Sequence, residues 1–100
     1  MKINKKDLIE ILSNDQNQLP LSDIQLTVNT IIDTMINALT NGERIEIRGF
    51  GSFSLHYRKP RVGRNPKTGA SVAINESYVP HFKPGKNLKK QVNEGTEKSI

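Results

Sequence analysis

The sequence predicts an α+β fold with helices first and antiparallel strands after them. Three observations predict it. Residues 3–12 and 21–39 carry apolar side chains at helical spacing behind capping signals; alternation switches to a period of two from Glu43; and residues 58–69 hold five cations, two prolines, two glycines and no acid. That last stretch cannot fill a core, so it stands outside one.

In the first helix Asn4 is placed as N-cap, Asp7 three residues on is the reciprocal carboxylate, and Ile3 staples to Leu8. Leu8, Ile9, Ile11 and Leu12 form its apolar stripe, and the polar run 13–18 ends it. The same signal repeats with Ser22 as cap, Gln25 answering it and Leu21 stapled to Leu26. Ile24, Val28, Ile31, Ile32, Met35, Ala38 and Leu39 follow on one stripe, and Ile36 widens it until the helix has two faces to bury. Gly42 after Asn41 suits a left-handed C-cap.

From Glu43, the residues Arg44, Glu46 and Arg48 point one way while Ile45 and Ile47 point the other, which is a strand with one wet face. Gly49-Phe50-Gly51 reads as a tight reversal in which both glycines can take backbone angles closed to other residues. The returning strand, 52–57, turns Phe53, Leu55 and Tyr57 inward and runs into the basic stretch. Beyond the turn residues 65–69, alternation restarts at Val72 and Ile74 and continues through 78–82. The flanking strands must pair as a two-stranded ribbon whose far part has no core beneath it. Pro84-Gly85-Lys86 opens a short last helix with Leu88 and Val92 at i and i+4, and residues 93–100 read as frayed.

The expectation is a single domain over 1–100: a helical part at about 4–41, sheet and arm at about 43–83 with the arm at about 58–77, and a C-terminal helix at about 84–93. With the arm outside the body, the remainder is small for a chain that is stable alone, so a dimer is expected.

Net charge is +5, but its distribution says more: residues 1–57 sum to −2, while 58–90 carry nine Lys/Arg against the single acid Glu76. A near-neutral body joined to a strongly basic second part suits a partner with a regular array of negative charge, duplex nucleic acid above all. A solvated charged face is the plain alternative. The chain has no cysteine, hence no disulfide or thiolate site, and no apolar run near the about 20 residues that span a bilayer. Its start lacks an uninterrupted signal-peptide core, so a cytoplasmic location is expected. His56 and His81 are the only imidazoles and show no metal-ligand spacing, no nucleophile elbow is present, and Gly49-Phe50-Gly51 lacks a third glycine and a following helix. No enzyme, metal or cofactor is expected, and the two histidines read as surface or packing residues.

A two-stranded ribbon can enter a DNA groove, and a proline at its tip can wedge between base steps. Pro66 sits there, with Arg64 and Asn65 placed to donate to minor-groove acceptors and Lys67 beside them. Arg58, Lys59, Arg61, Lys83 and Lys86 are expected to follow phosphates. The alternatives are a plain turn proline, and an arm that binds RNA or acidic polysaccharide.

Arg48-Gly49-Phe50-Gly51-Ser52-Phe53, then Gly63-Arg64-Asn65-Pro66-Lys67-Thr68-Gly69 and Val79-Pro80-His81-Phe82-Lys83-Pro84-Gly85-Lys86, resemble the bacterial HU and integration host factor family over nearly the whole chain. The family is itself the standing example of the proline wedge, so that mechanism is carried over by resemblance. The resemblance implies an intertwined dimer with a helical base, a saddle of antiparallel sheet and two arms around kinked double-stranded DNA. The partner it implies is a related alpha subunit, or a second copy of the chain. It further implies a site preference to which Glu46 and Arg48 contribute, and a nucleoid role in recombination, replication and gene regulation; an HU-like homodimer with little preference is the alternative. The returning arm strand, 70–75, departs from the family pattern in being uncharged.

Overall fold

The structure, a computed structural model, describes residues 1–99. The chain divides into two compact units, 1–37 and 38–100. The first holds helix α1, Lys5–Asp15, and most of α2, Leu21–Thr40. The capping box of α1 forms as its residue types dictate: Asn4 Oδ1 accepts from the Asp7 amide at 2.9 Å, and Asp7 Oδ2 accepts from the Asn4 amide at 3.2 Å.

Helix α2 starts at Leu21, two residues earlier than Ser22 as N-cap would place it. The carbonyl of Pro20 accepts from the amides of Asp23 and Ile24 at 3.1 and 3.3 Å, so the chain before the helix satisfies those donors and Ser22 lies inside the first turn. At the other end the Gly42 amide reaches the Leu39 carbonyl and the Glu43 amide reaches that of Ala38, both at 3.0 Å, with Gly42 at φ 78°. This pair of bonds is a Schellman cap around the expected glycine.

The first unit buries only Ile9, Ile24 and Val28, with Ile32 half-buried against them. Leu8 and Leu12 of α1 and Leu26, Ile31 and Ile36 of α2 stay exposed, and Met35, Ala38 and Leu39 are half-buried, so the wide stripe of α2 is only partly covered within one chain. Burying one such side chain is worth about 1.5 to 3 kcal/mol, and most of that is left unrealised here.

The second unit contains β1 (Ile45–Ile47), β2 (Gly51–Arg58), β3 (Arg61–Arg64), β4 (Ser71–Ile74), β5 (Ser77–Pro84) and α3 (Lys86–Ser99). β1, β2 and β5 form an antiparallel sheet in that order, and β3 pairs with β4 as a separate two-stranded ribbon. The expected ribbon is thus present, but it does not run unbroken out of the sheet. The ladders stop between the Arg58–Ser77 pair and the Arg61–Ile74 pair, where Pro60, with no N–H to donate, stands in the chain.

Register sorts the sheet into two faces. Phe53 opposes Phe82, Leu55 opposes Pro80 and Tyr57 opposes Tyr78 on one; Ser52 opposes Lys83, Ser54 opposes His81, His56 opposes Val79 and Arg58 opposes Ser77 on the other. Phe82 joins the apolar face together, its ring centroid 4.7 Å from that of Phe53 and 5.2 Å from that of Phe50. Among the described residues none in the second unit is buried, and Tyr57, expected inward, is 50% exposed.

The two glycines of the reversal act differently: both can take angles closed to other residues, but only Gly49 does. Gly49 has φ 84° at the third position of a turn closed by the Phe50 amide on the Ile47 carbonyl at 3.0 Å. Gly51 lies in β2 without a positive φ; it is glycine because a Cβ there would meet the Lys83 carbonyl oxygen at 2.6 Å and the Phe82 ring at 2.7 Å. Arg48 accordingly belongs to the turn and not to the polar face of β1.

Pro84 closes β5 rather than opening a helix, and the Lys89 amide bonds the Gly85 carbonyl at 3.0 Å as α3 begins. α3 runs through 93–99, which the sequence reads as frayed; Ile100 lies outside the described residues.

Candidate nucleic-acid interface

The tip of the ribbon is built by its own polar groups. Asn65 Oδ1 accepts from the Lys67 amide at 2.9 Å, an Asx turn over Pro66, and the Asn65 carbonyl accepts from the Gly69 amide at 2.7 Å. Below it the Asn65 amide bonds the Ala70 carbonyl at 2.9 Å, and Arg64 Nη1 donates to the Gly69 carbonyl at 3.1 Å. Asn65 is therefore the loop's organiser through its Oδ1, while its Nδ2 takes no part in that turn. Pro66 and Lys67 are left exposed at the apex. A ring without a donor, held outward on a closed loop, can insert between flat apolar surfaces without breaking any bond of its own.

Along the ribbon Arg61 and Gly63 oppose Ile74 and Val72, while Val62 and Arg64 oppose Ala73 and Ser71, so its cations alternate between faces. Ile74 folds over Gly63, where a Cβ would meet its Cδ1 at 2.6 Å. Arg58 ends β2 and Lys59 sits in the break between sheet and ribbon. Across that break Tyr57 donates its hydroxyl to Glu76 Oε2 at 2.7 Å. The bond to the carboxylate, with desolvation and Tyr78 acting in the same direction, holds the Tyr57 hydroxyl above the ordinary tyrosine range.

A second cluster forms at the other end of the sheet. Glu46 opposes Ser52, which opposes Lys83, placing Glu46 and Lys83 in one row on the polar face. Arg44, Glu46, Arg48, Lys83, Lys86 and Lys89 line one cavity of about 530 Å³. Five cations around one carboxylate make an anion-attracting groove, and Glu46 is the group that can orient a neighbouring guanidinium.

The structure thus divides the expected residues into two sets. Arg64, Asn65, Pro66 and Lys67 share the ribbon tip, with Arg61, Lys59 and Arg58 leading back along the ribbon to the sheet. Glu46, Arg48, Lys83 and Lys86 share the groove. Sequence reasoning missed Arg44 and Lys89 as members of it. Arg44 precedes Glu46 on the same alternation, and Lys89 is three residues after Lys86 on α3, so both spacings were available as signals.

Over most of its length the chain is similar to known proteins. A model of the family described as bacterial DNA-binding protein matches residues 3–93. The integration host factor subunit beta of Hahella chejuensis is 59% identical over 91 residues, covering 91% of this chain and 93% of the relative. The protein of the same name from Alkalilimnicola ehrlichii is 54% identical over 98 residues, 98% of each chain. Among solved structures, HU in an Anabaena HU–DNA cocrystal is similar with a TM-score of 0.79 and 31% identity, covering 89% of this chain and 96% of that one.

Proposed function

Because the chain belongs to the family of bacterial DNA-binding proteins that includes HU and integration host factor, we propose that it is an architectural protein that bends duplex DNA. The ribbon lies in the minor groove and Pro66 enters between base pairs, the mechanism for which this family is itself the standing example. Arg64 and Lys67 flank the wedge, and Asn65 sets its turn. Arg58, Lys59, Arg61, Lys83 and Lys86 follow phosphates, and Glu46 with Arg48 biases the choice of site. The observation that carries this reading is the exposed Pro66 on a self-closed loop of a cationic ribbon that has no acid in it.

The functional unit is a dimer. Three buried side chains in the first unit, and none among the described residues of the second, leave too little core for one chain, and the exposed Leu26, Ile31 and Ile36 of α2 supply surface a partner would cover. Relatives named subunit beta point to a related alpha subunit as that partner, and a DNA-bending role places the dimer on the nucleoid, in the cytoplasm. No described helix is long and apolar enough to cross a membrane.

The test is Pro66→Ala, read by energy transfer between the ends of a duplex bound by the assembled dimer. Bending a site of about 20 to 30 base pairs costs on the order of 1 to 6 kcal/mol, which a wedge lowers by unstacking one step. The variant should lose bend angle, and lose affinity for linear duplex more than for prekinked duplex. An unchanged bend rules out the wedge, and preference for heparin or single-stranded RNA over duplex moves the arm to another class of partner.

A further inference from the structure

We propose that His56 and His81 form a proton-linked contact to DNA, so that the dimer takes up protons as it binds. The inference rests on the proposed DNA contacts of Arg58, Lys83 and Glu46, which share the polar face of the sheet. Register puts the two histidines on neighbouring strands of that face, His81 opposite Ser54 and His56 opposite Val79, one diagonal step apart. Their rings are stacked, with centroids 4.3 Å apart and planes at 21°, and both side chains are exposed. Stacked on each other, they cover no apolar core, and among the described residues no group of three or more His, Cys, Asp or Glu gathers to hold a metal.

Their surroundings indicate which ligand would use them. On the same face Arg58 lies two residues along β2 from His56, Lys83 lies two residues along β5 from His81, and Glu46 of β1 stands in the row of Lys83. The residues directly opposite the imidazoles are Ser54 and Val79, neither of which can hold an imidazolium as a counter-ion. The pair therefore fills the gap in a line of cations that leads from the groove at Lys83 to the foot of the arm at Arg58. Tyr57 and Tyr78 belong to the opposite face. A phosphate backbone laid along that line supplies the negative charge the sheet lacks at this point, and histidine is the side chain that changes charge near neutral pH. An imidazolium next to phosphate is favoured over an imidazole, so the bound state carries more protons than the free one. By linkage, affinity rises as pH falls.

The experiment measures duplex affinity of the assembled dimer by fluorescence anisotropy, at constant ionic strength, between about pH 6 and about pH 8. For each proton taken up, affinity should fall by up to about tenfold per pH unit as pH rises. The double variant His56→Gln, His81→Gln should bind with a flat pH profile at the weaker, high-pH level of the wild type. The double variant His56→Arg, His81→Arg should also be flat, at the tighter, low-pH level, a result that a packing role for the rings does not produce. A wild-type profile that is already flat, or a slope that survives in the glutamine variant, overturns the proposal while leaving DNA bending intact. Failure of the wild type to bind duplex at any pH overturns both.

Discussion

Tyr57 bonds Glu76 at 2.7 Å across the one place where the sheet ladder stops and the ribbon ladder has not yet begun. Glu76 is the sole acid among residues 58–90, and it stands at the foot of the arm and not along it. An acid farther out would repel phosphate, whereas here its charge is engaged by a hydroxyl that ties the two strands of the junction together.

The bond has a titration signature. The neutral Tyr57 hydroxyl donates to Glu76, so its ionisation is pushed upward in the fold. The contribution to stability is present below the ordinary tyrosine value of about 10 and is lost as pH rises through the raised one. Ultraviolet titration should show Tyr57 ionising late in the wild type and earlier in Glu76→Gln. An ionisation of Tyr57 left unmoved by Glu76→Gln contradicts the bond.

Gly51 and Gly49 should fail in distinguishable ways. Gly51→Ala drives a methyl group into the Lys83 carbonyl and the Phe82 ring, and overpacking of this kind costs about 1 to 3 kcal/mol. Gly49→Ala meets no atom within 4 Å and suffers only from its positive φ, a cost of about 1 to 2 kcal/mol. Gly49→Asn should recover part of that loss, because asparagine tolerates the left-handed region, whereas Gly51→Asn should be worse than Gly51→Ala. Urea unfolding of the assembled dimer measures all four.

Lys86 and Lys89 line one groove, and the sequence singled out only the first as a site residue. Each neutralised phosphate contributes about 0.9 to the slope of log affinity against log salt. Lys86→Ala and Lys89→Ala should each flatten the slope by nearly that amount for every phosphate left without its cation, on any duplex sequence. A slope unchanged by Lys89→Ala returns that residue to a solvated helix charge.

Glu46→Ala and Arg48→Ala should blur sequence preference more than they weaken binding. Both side chains line the groove, Arg48 from the turn and Glu46 from β1, and a well-aimed guanidinium discriminates bases by about 1 to 3 kcal/mol. Selection from random duplexes by the dimer should give a preferred site in the wild type, with one cluster of positions lost in either variant. A wild type without preference describes an HU-like packaging protein.

Legible in the chain alone is whatever a few consecutive residues can settle. The Asn4–Asp7 box, the Gly42 cap, the reversal at Gly49 and the Asn65–Gly69 tip all close their hydrogen bonds within six residues, so the residue types at those spacings suffice. The charge asymmetry is likewise a property of the chain, and it located the arm. Local signals also mislead where two compete, as when the Pro20 carbonyl took the start of α2 from Ser22.

Everything that depends on β2 finding β5 was settled by the fold. Alternation assigns a residue to a face but names no partner opposite it; only register, set when Phe53 meets Phe82, puts Lys83 beside Gly51, stacks His56 on His81, and brings Glu76 to Tyr57. Those contacts join residues separated by 19 or more positions, as in the Tyr57–Glu76 bond, and nothing local distinguishes the right pairing from one shifted by two. The shared packing of Phe50, Phe53 and Phe82 makes that distinction, because a slip of two residues would remove Phe82 from its place against both rings.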